Sequence, residues 1–335
     1  MATRPAPQPT AAVLRAPFRA IDGLVNAVDH NPAAESPGGV RVRRGLAALM
    51  AGFAGVYLVQ AALHGQFVSP VGLLMLMVAF AVWANRGGRF LRDWTPVLLG
   101  LLAYGATVSA VPSLGLQVHF EPQIAADRII GLGTLPTTWL QDHLYSGQTG
   151  LLEVFSVAMY LSHFLAPLVL AFLLWAAWQG RGFSDLLFGI LTVSVLGSIT
   201  FLLAPTAPPW LAAEHGLIGP VHHIVKDGLA DLHLSTLAAH KGDASRYNVT
   251  AAIPSLHVAW PVIGLLVVRK YRLPRPLVWS QALLLAGVVF AVVYTGEHYV
   301  IDAVIGVVYA LGAWWLVQRA LEGRRERPAA ASSIV

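Results

Sequence analysis

Eight apolar runs of about 16 to 28 residues, separated by polar punctuation, limit more than any other feature what this chain can fold into. Runs of that length match the hydrocarbon thickness of a bilayer, where every backbone N–H and C=O must be paired inside the segment. Helices meet that demand one by one. The pattern therefore predicts an all-α, polytopic membrane protein with about eight transmembrane helices. The runs fall at about 45–63, 69–85, 95–111, 151–178, 185–204, 254–271, 277–295 and 298–318, with long connections at 112–150 and 205–253. Composition agrees, since 56% of the 335 residues are hydrophobic and only 12% are charged, about half the charged share of a soluble domain. The absence of cysteine excludes disulfides, thiol nucleophiles and thiolate metal sites.

Charge placement sets an expected orientation. With the N-terminus inside, the inner segments carry 18 of the 22 Lys and Arg residues, and the outer ones only Arg128, Lys226, Lys241 and Arg246. This satisfies the positive-inside rule and predicts cytoplasmic N- and C-termini. Basic anchors at an anionic inner leaflet then account for the net charge of +5, with no nucleic-acid partner. The first 44 residues are rich in Pro, Ala and Arg, lack the apolar centre of a signal peptide, and read with the 319–335 tail as disordered cytoplasmic ends. The first span then serves as the insertion signal. Nineteen Arg against three Lys, with abundant Ala and Gly, suggest a GC-rich bacterial source and hence a bacterial plasma membrane. No Walker A or dinucleotide fingerprint occurs, so no nucleotide or other cofactor is expected. Ten of twelve histidines and ten of seventeen acidic residues collect on the expected outer side.

Two stretches concentrate chemistry there. In AAIPSLHVAW (251–260), Pro254 suits the first position of a helix, which puts Ser255 and His257 in the first turn of the sixth span. A helix N-terminus offers unpaired N–H groups and a positive dipole end to phosphate, and a histidine there can donate a proton. In YTGEHYVIDAVIG (294–306), His298 and Asp302 are four apart and are expected on one helix face at the head of the eighth span. A carboxylate one turn from a histidine holds its tautomer and stabilises its cation, which makes His298 a candidate nucleophile. The two stretches, about 40 residues apart, are joined by a down-and-up helical hairpin. Together they suit phosphoryl transfer through a phosphohistidine.

PSLH opening one span, with H-x3-D opening the second span after it, resembles the type-2 phosphatidic acid phosphatase superfamily. APTAPPW (204–210), AAIPSLHVAW (251–260) and EHYVIDAVIG (297–306) are closer to its inositol phosphorylceramide synthase-like branch, and ADRIIGLGTLPTTWLQ (126–141) and YLSHFLAP (160–167) are similar to bacterial members. The resemblance covers roughly 95–318. It implies a six-helix catalytic domain there, behind two extra spans in 45–94. It implies His298 as nucleophile, His257 as acid–base and Asp302 as orienting acid, without metal. The phosphatase signature's Ser-Arg pair is replaced by Ala291 and Val292, and no Lys-x6-Arg-Pro segment precedes Ser255. Lys270 to Arg275-Pro276 has the wrong spacing and the wrong side. The branch also lacks that arginine, so phosphate-binding cations are sought among Arg246 first, then Arg128 and Lys241, then Lys226.

The expected activity is transfer of a phospho-headgroup, phosphoinositol in the branch, between membrane lipids at the outer leaflet. Hydrolysis of isoprenoid or glycerolipid phosphates is the nearest alternative, and a proton-coupled transporter using His298 and Asp302 a more distant one. Helix mouths rather than the membrane midplane argue against transport. Residues 217–234 read as an amphipathic helix on the outer leaflet, with Leu217, Val221, Ile224, Val225, Leu229 and Leu232 on its apolar face. TLPTTWLQDHL (134–144) reads as interfacial through Trp139. The His215, His222, His223, His233, His240 group lacks regular metal-ligand spacing. His163, inside the fourth span, either bonds between helices or lines the site from below.

Overall fold

A computed structural model describes residues 37–63, 70–177, 180–232, 234 and 250–330. The helices are α1 (Pro37–Leu63), α2 (Pro70–Trp83), α3 (Gly87–Ala110), α4 (Glu121–Ile130), α5 (Pro136–Leu144), α6 (Leu151–Ala176), α7 (Gly180–Leu203), α8 (Pro209–Glu214), α9 (Ile224–Asp231), α10 (Leu256–Lys270), α11 (Arg275–Tyr294) and α12 (Val300–Ala330). The chain is an all-α integral membrane protein. Each of the eight apolar runs is a helix. Among the described residues, six helical stretches are long and apolar enough to cross a membrane: Val40–Gln60, Gly87–Leu114, Leu151–Ala176, Gly180–Leu203, Arg275–Tyr294 and Val300–Leu321. The other two, α2 with 14 residues and α10 with 15, fall short of the ~20 that a span needs.

The described residues divide into two compact units, with the boundary at Gly100–Leu101 inside α3. In the first, α2 packs on α1, and a Cβ at Gly72 would lie 2.6 Å from Leu58 Cδ2. The second holds α6, α7, α10, α11 and α12 as a bundle. Its central element is the short α10, which packs on each of the other four and buries Leu256, Val258, Ala259, Trp260, Val262, Ile263, Val267 and Val268. Neighbouring helices shield α10 from lipid, so it need not span the bilayer. Close approach comes from small residues, as in other membrane bundles. A Cβ at Gly189 of α7 would sit 2.7 Å from Ile263 Cγ2. One at Gly306 of α12 would collide with the Ser255 carbonyl oxygen.

Short helices cover the end of the bundle where α10 begins. Ile124, Leu135, Ala212 and Tyr299 form a small core there, with Phe120, Ile218 and Ile301 packed against it. Residues 217–234 differ from expectation. Only Ile224–Asp231 is helical, and Ile224, Val225 and Leu229 are buried. The helix packs on α6, where a Cβ at Gly228 would be 2.9 Å from Val157 Cγ2. The helix's own apolar residues meet protein rather than lipid, because α6 supplies a complementary apolar surface, while Leu217 and Leu232 on either side of the helix stay exposed. In α5, Trp139 is exposed as an interfacial anchor would be, while Gln141 is buried.

Candidate active site

The site is built on two helix starts. Ser255 is the N-cap of α10, so Pro254 precedes the helix instead of opening it, and His257 is its second residue. The Ser255 N–H donates to the Asp302 carbonyl at 3.2 Å, which docks this start on α12 next to Gly306. Thr206 braces the approach: its N–H donates to Thr250 O, its carbonyl accepts from Ala252 N, and its Oγ1 accepts from Ile253 N at 2.8 Å. The APTAPPW stretch is thus a backbone brace for PSLH.

His298 departs from the expected helical face. It lies two residues ahead of α12, in the turn after α11. That turn is closed by Gly296, which has φ +77°. The Glu297 N–H donates to Val292 O at 3.0 Å and the Gly296 N–H to Val293 O at 3.2 Å, the Schellman pattern that favours glycine. The turn still delivers His298 to Asp302, because Asp302 reaches back. Its Oδ2 accepts from Tyr299 N at 2.9 Å and lies 3.4 Å from His298 Nδ1. Asp127 takes the next two N–H groups of α12, Val300 at Oδ2 and Ile301 at Oδ1, each at 2.9 Å. Burial raises the Asp127 carboxyl above its ordinary value, and those two bonds oppose the rise. Carboxylates at the head of a helix complement its dipole.

The two expected histidines meet. His257 Nδ1 is 3.0 Å from His298 Nε2. A bond between two ring nitrogens needs one proton. With His298 Nδ1–H turned to Asp302, its Nε2 accepts and His257 Nδ1 donates. His298 and Asp302 are buried. His163 lines the site from below: its ring centroid is 3.9 Å from that of His257, and its Nδ1 donates to Tyr160 O at 2.8 Å. The site is recessed, since His163 lies twelve residues into α6, about 18 Å along its axis. The helix-mouth argument against a transporter is weaker for that depth.

His163, His257 and His298 line a cavity of ≈ 230 Å³. Tyr104, Val108, Phe164 and Phe201 form an apolar wall, and Ser109, Trp210, Glu297, His257 and His298 supply polar atoms. Among the described residues, no Lys or Arg lines it. Arg128 is exposed on α4 and is not among the lining residues, and Lys226 is exposed on α9. Lys241 and Arg246 lie outside the described residues, as do His233 and His240. The Ser255 Oγ does not cap α10. It is buried beside the cavity with no hydrogen-bond partner among the described residues, as is Asp302 Oδ1.

The remaining histidines of the 205–253 connection part company instead of gathering. His215 packs on Phe120, His222 on Tyr145, and His223 on Trp210. Sequence reasoning gave no site role to Trp210, weighed His223 only within the possible metal group, and counted Glu297 among the outer acids without a specific role. Adjacency to His298 could have flagged Glu297. The Glu297–His223 pair, 74 residues apart, leaves no periodic trace.

Comparison with known proteins adds three findings. The family model described as the PAP2 superfamily matches residues 122–316, over half the chain. The chain is similar to a phosphoinositol dihydroceramide synthase of Bacteroides thetaiotaomicron, at 25% identity over 165 residues, 48% of this chain and 54% of that protein. It thus spans about half the length of this curated relative. No solved structure matches.

Proposed function

From the premise that this chain belongs to the PAP2 superfamily, we propose that it is a membrane-integral lipid phosphotransferase working through a phosphohistidine on His298. One observation carries the reading: a buried imidazole, His298, and a half-buried one, His257, meet at 3.0 Å beside a cavity, and His298 is backed by a carboxylate. That is the arrangement of a nucleophile, an acid–base and an orienting acid.

The donor's phosphoryl group parts the two rings, replacing their hydrogen bond. His298 Nε2 attacks phosphorus in line, forming the N–P bond. The bond from phosphorus to the lipid alkoxide breaks, and that oxygen takes the proton from His257. The acceptor hydroxyl then gives its proton to His257, its oxygen attacks phosphorus, and the N–P bond breaks. Asp302 holds the Nδ1 proton throughout and stabilises the charge on the ring. The N–H end of α10 and, next to it, the Ser255 hydroxyl are proposed to answer developing charge, where most catalytic stabilisation arises. Arg246 and Lys241, in the connection that leads into PSLH, are proposed as the phosphate cations.

The relative's name supports phosphoinositol as the transferred headgroup. Charge placement supports a site on the outer face. The short-looped helices of the bundle alternate in direction, which sets the α10 start opposite the end that carries Arg181, Arg269, Lys270, Arg272 and Arg275. A covalent trap tests the reading. Purified protein is given phosphatidylinositol labelled on phosphorus and on inositol, then quenched in alkali beside His298→Ala. Both labels on the wild type alone mean a phosphoinositol-histidine. Phosphorus alone, trapped from a lipid phosphomonoester, means a phosphatase. No trapped label from either, with His298→Ala turning over lipid as the wild type does, ends the proposal.

A further inference from the structure

Glu297 has no part in the steps above, yet it lines the cavity beside the nucleophile and is 5% exposed. Its charge is the wrong sign for a wall meant only for phosphate. It is also firmly placed. Its Oε1 accepts from His223 Nε2 at 2.8 Å. The His223 ring lies flat on Trp210, with centroids 4.3 Å apart and planes at 5°. The backbone on either side is fixed as well. Gln141 grips His222 by both its N–H, at 2.8 Å, and its carbonyl, at 3.0 Å, and the Trp210 N–H donates to Gly296 O at 3.2 Å. Trp210 itself lines the cavity, and its Nε1 is buried with no hydrogen-bond partner among the described residues.

We infer that Glu297 and Trp210, positioned by His223, form a subsite that reads the hydroxyls of a polyol headgroup on the phosphate being transferred. The inference rests on the cavity being the phosphoryl-transfer site proposed above. The carboxylate lining the cavity accepts hydrogen bonds, and it has lone pairs beyond the one His223 takes, whereas the buried indole N–H only donates. A hydroxyl answers both at once, and a ring or chain of vicinal hydroxyls can do so at two positions. A quaternary ammonium headgroup would attract the carboxylate but leave the indole N–H orphaned, at the cost of an unsatisfied buried donor. A bare phosphomonoester has nothing to offer the carboxylate. The subsite therefore discriminates headgroups without touching phosphorus. His223 is a positioning residue, since its N–H is spent on Glu297.

The test compares diacylglycerol release by the full-length protein, in detergent micelles with ceramide present, from phosphatidylinositol, phosphatidylglycerol, phosphatidylcholine and phosphatidic acid. Glu297→Gln is expected to lower kcat/KM for the two hydroxyl-bearing lipids by about 10- to 100-fold relative to phosphatidic acid, mostly through KM. Trp210→Phe keeps the ring, removes the N–H, and is expected to shift the same ratio by about tenfold or less. Phosphatidylcholine should follow phosphatidic acid. Equal losses on all four lipids would make Glu297 a structural neighbour of His298 and end the inference. Unchanged ratios, or a loss confined to phosphatidylcholine, would also end it. If Glu297→Gln does not fold, the Trp210→Phe ratio decides alone. A wild type that releases diacylglycerol from none of the lipids refutes the phosphotransferase reading itself. An active wild type with unchanged ratios refutes only the subsite.

Discussion

At the last turn of α10, Lys270 Nζ and Tyr271 OH both donate to the buried Asp185 carboxylate, at 2.5 and 2.9 Å, and Lys270 also reaches Gln318. At its first turn, His257 and His298 share one proton, while Ser255 Oγ, Asp302 Oδ1 and the nearby Trp210 Nε1 have no partner among the described residues. The same three helices, α7, α10 and α12, are joined at the first cluster, and α10 and α12 again at the second. One cluster answers a buried carboxylate with donors from two sides. The other leaves polar atoms unanswered around a cavity. Burying polar atoms unpaired is costly. Gln318 Nε2 in the first cluster is also without a partner among the described residues, so what sets the second cluster apart is that its two histidines also line a cavity. The difference separates a clasp from a site without reference to any relative.

The largest expected effect breaks the comparison at its active end. His298→Ala should lower lipid turnover by at least about 10⁴-fold, and His257→Ala by about 10²- to 10⁴-fold. His257→Ala should change unfolding stability by no more than about 2 kcal/mol, because it removes a site-facing hydrogen bond. His298→Ala also leaves the buried Asp302 without its partner and is expected to cost about 3–5 kcal/mol. Turnover assays and detergent melts on the same preparations check this. Large losses of stability in both would make the first-turn cluster a second clasp. Next, Asp302→Asn should cost about 10²- to 10⁴-fold in turnover by releasing the His298 tautomer. Its amide oxygen can still accept from Tyr299 N, so the head of α12 should survive.

The opposite end should respond the other way. Asp185→Ala strips the acceptor from Lys270 and Tyr271 and is expected to cost about 1–3 kcal/mol of stability. Turnover per folded molecule should stay within about twofold, because the two ends of α10 are about 22 Å apart and distant sites act independently. A fall in turnover without a fall in stability would show that the clasp is coupled to the site.

Much of this was legible in the sequence. Apolar run length located all eight helices, since membrane burial of backbone leaves few alternatives. The His257, His298 and Asp302 set was legible because each lies near a helix start, where spacing along the chain maps onto spacing in space. The detail that placed them was not. His298 and Asp302 meet through a glycine turn and a back-reaching side chain, not on one helical face, and four-residue spacing cannot tell these apart. Pro254 looked like a first helical residue, yet α10 starts two residues later, where Ser255 docks on α12. Length did not reveal that α10 is a short central helix, because apolarity is the same toward lipid and toward protein. Asp127 capping Val300 and Ile301, 173 and 174 residues away, and His223 holding Glu297 have no local signature at all.

The smallest expected effect concerns Asp127, the site-end counterpart of Asp185. Its two oxygens each accept one N–H of α12, whereas an amide offers one oxygen, so Asp127→Asn should cost about 1 kcal/mol. The pH dependence of that cost sharpens the comparison. Burial lifts the folded-state carboxyl above the ordinary 3.8. Below that value the group is protonated in both states. As pH rises past it, the unfolded chain ionises first, so the native state holds the extra proton and stability falls until the raised value is passed. Asp127→Asn has no such titration. The wild type's advantage over it should therefore be widest in acid, narrow as pH rises through the window above 3.8, and stay flat at neutral pH. Melts of both proteins from acid to neutral pH read this directly. A gap that widens with pH would mean that the two N–H bonds outweigh burial, making Asp127 a satisfied carboxylate like Asp185. A narrowing gap would show that the site end holds even its capping carboxylate under strain.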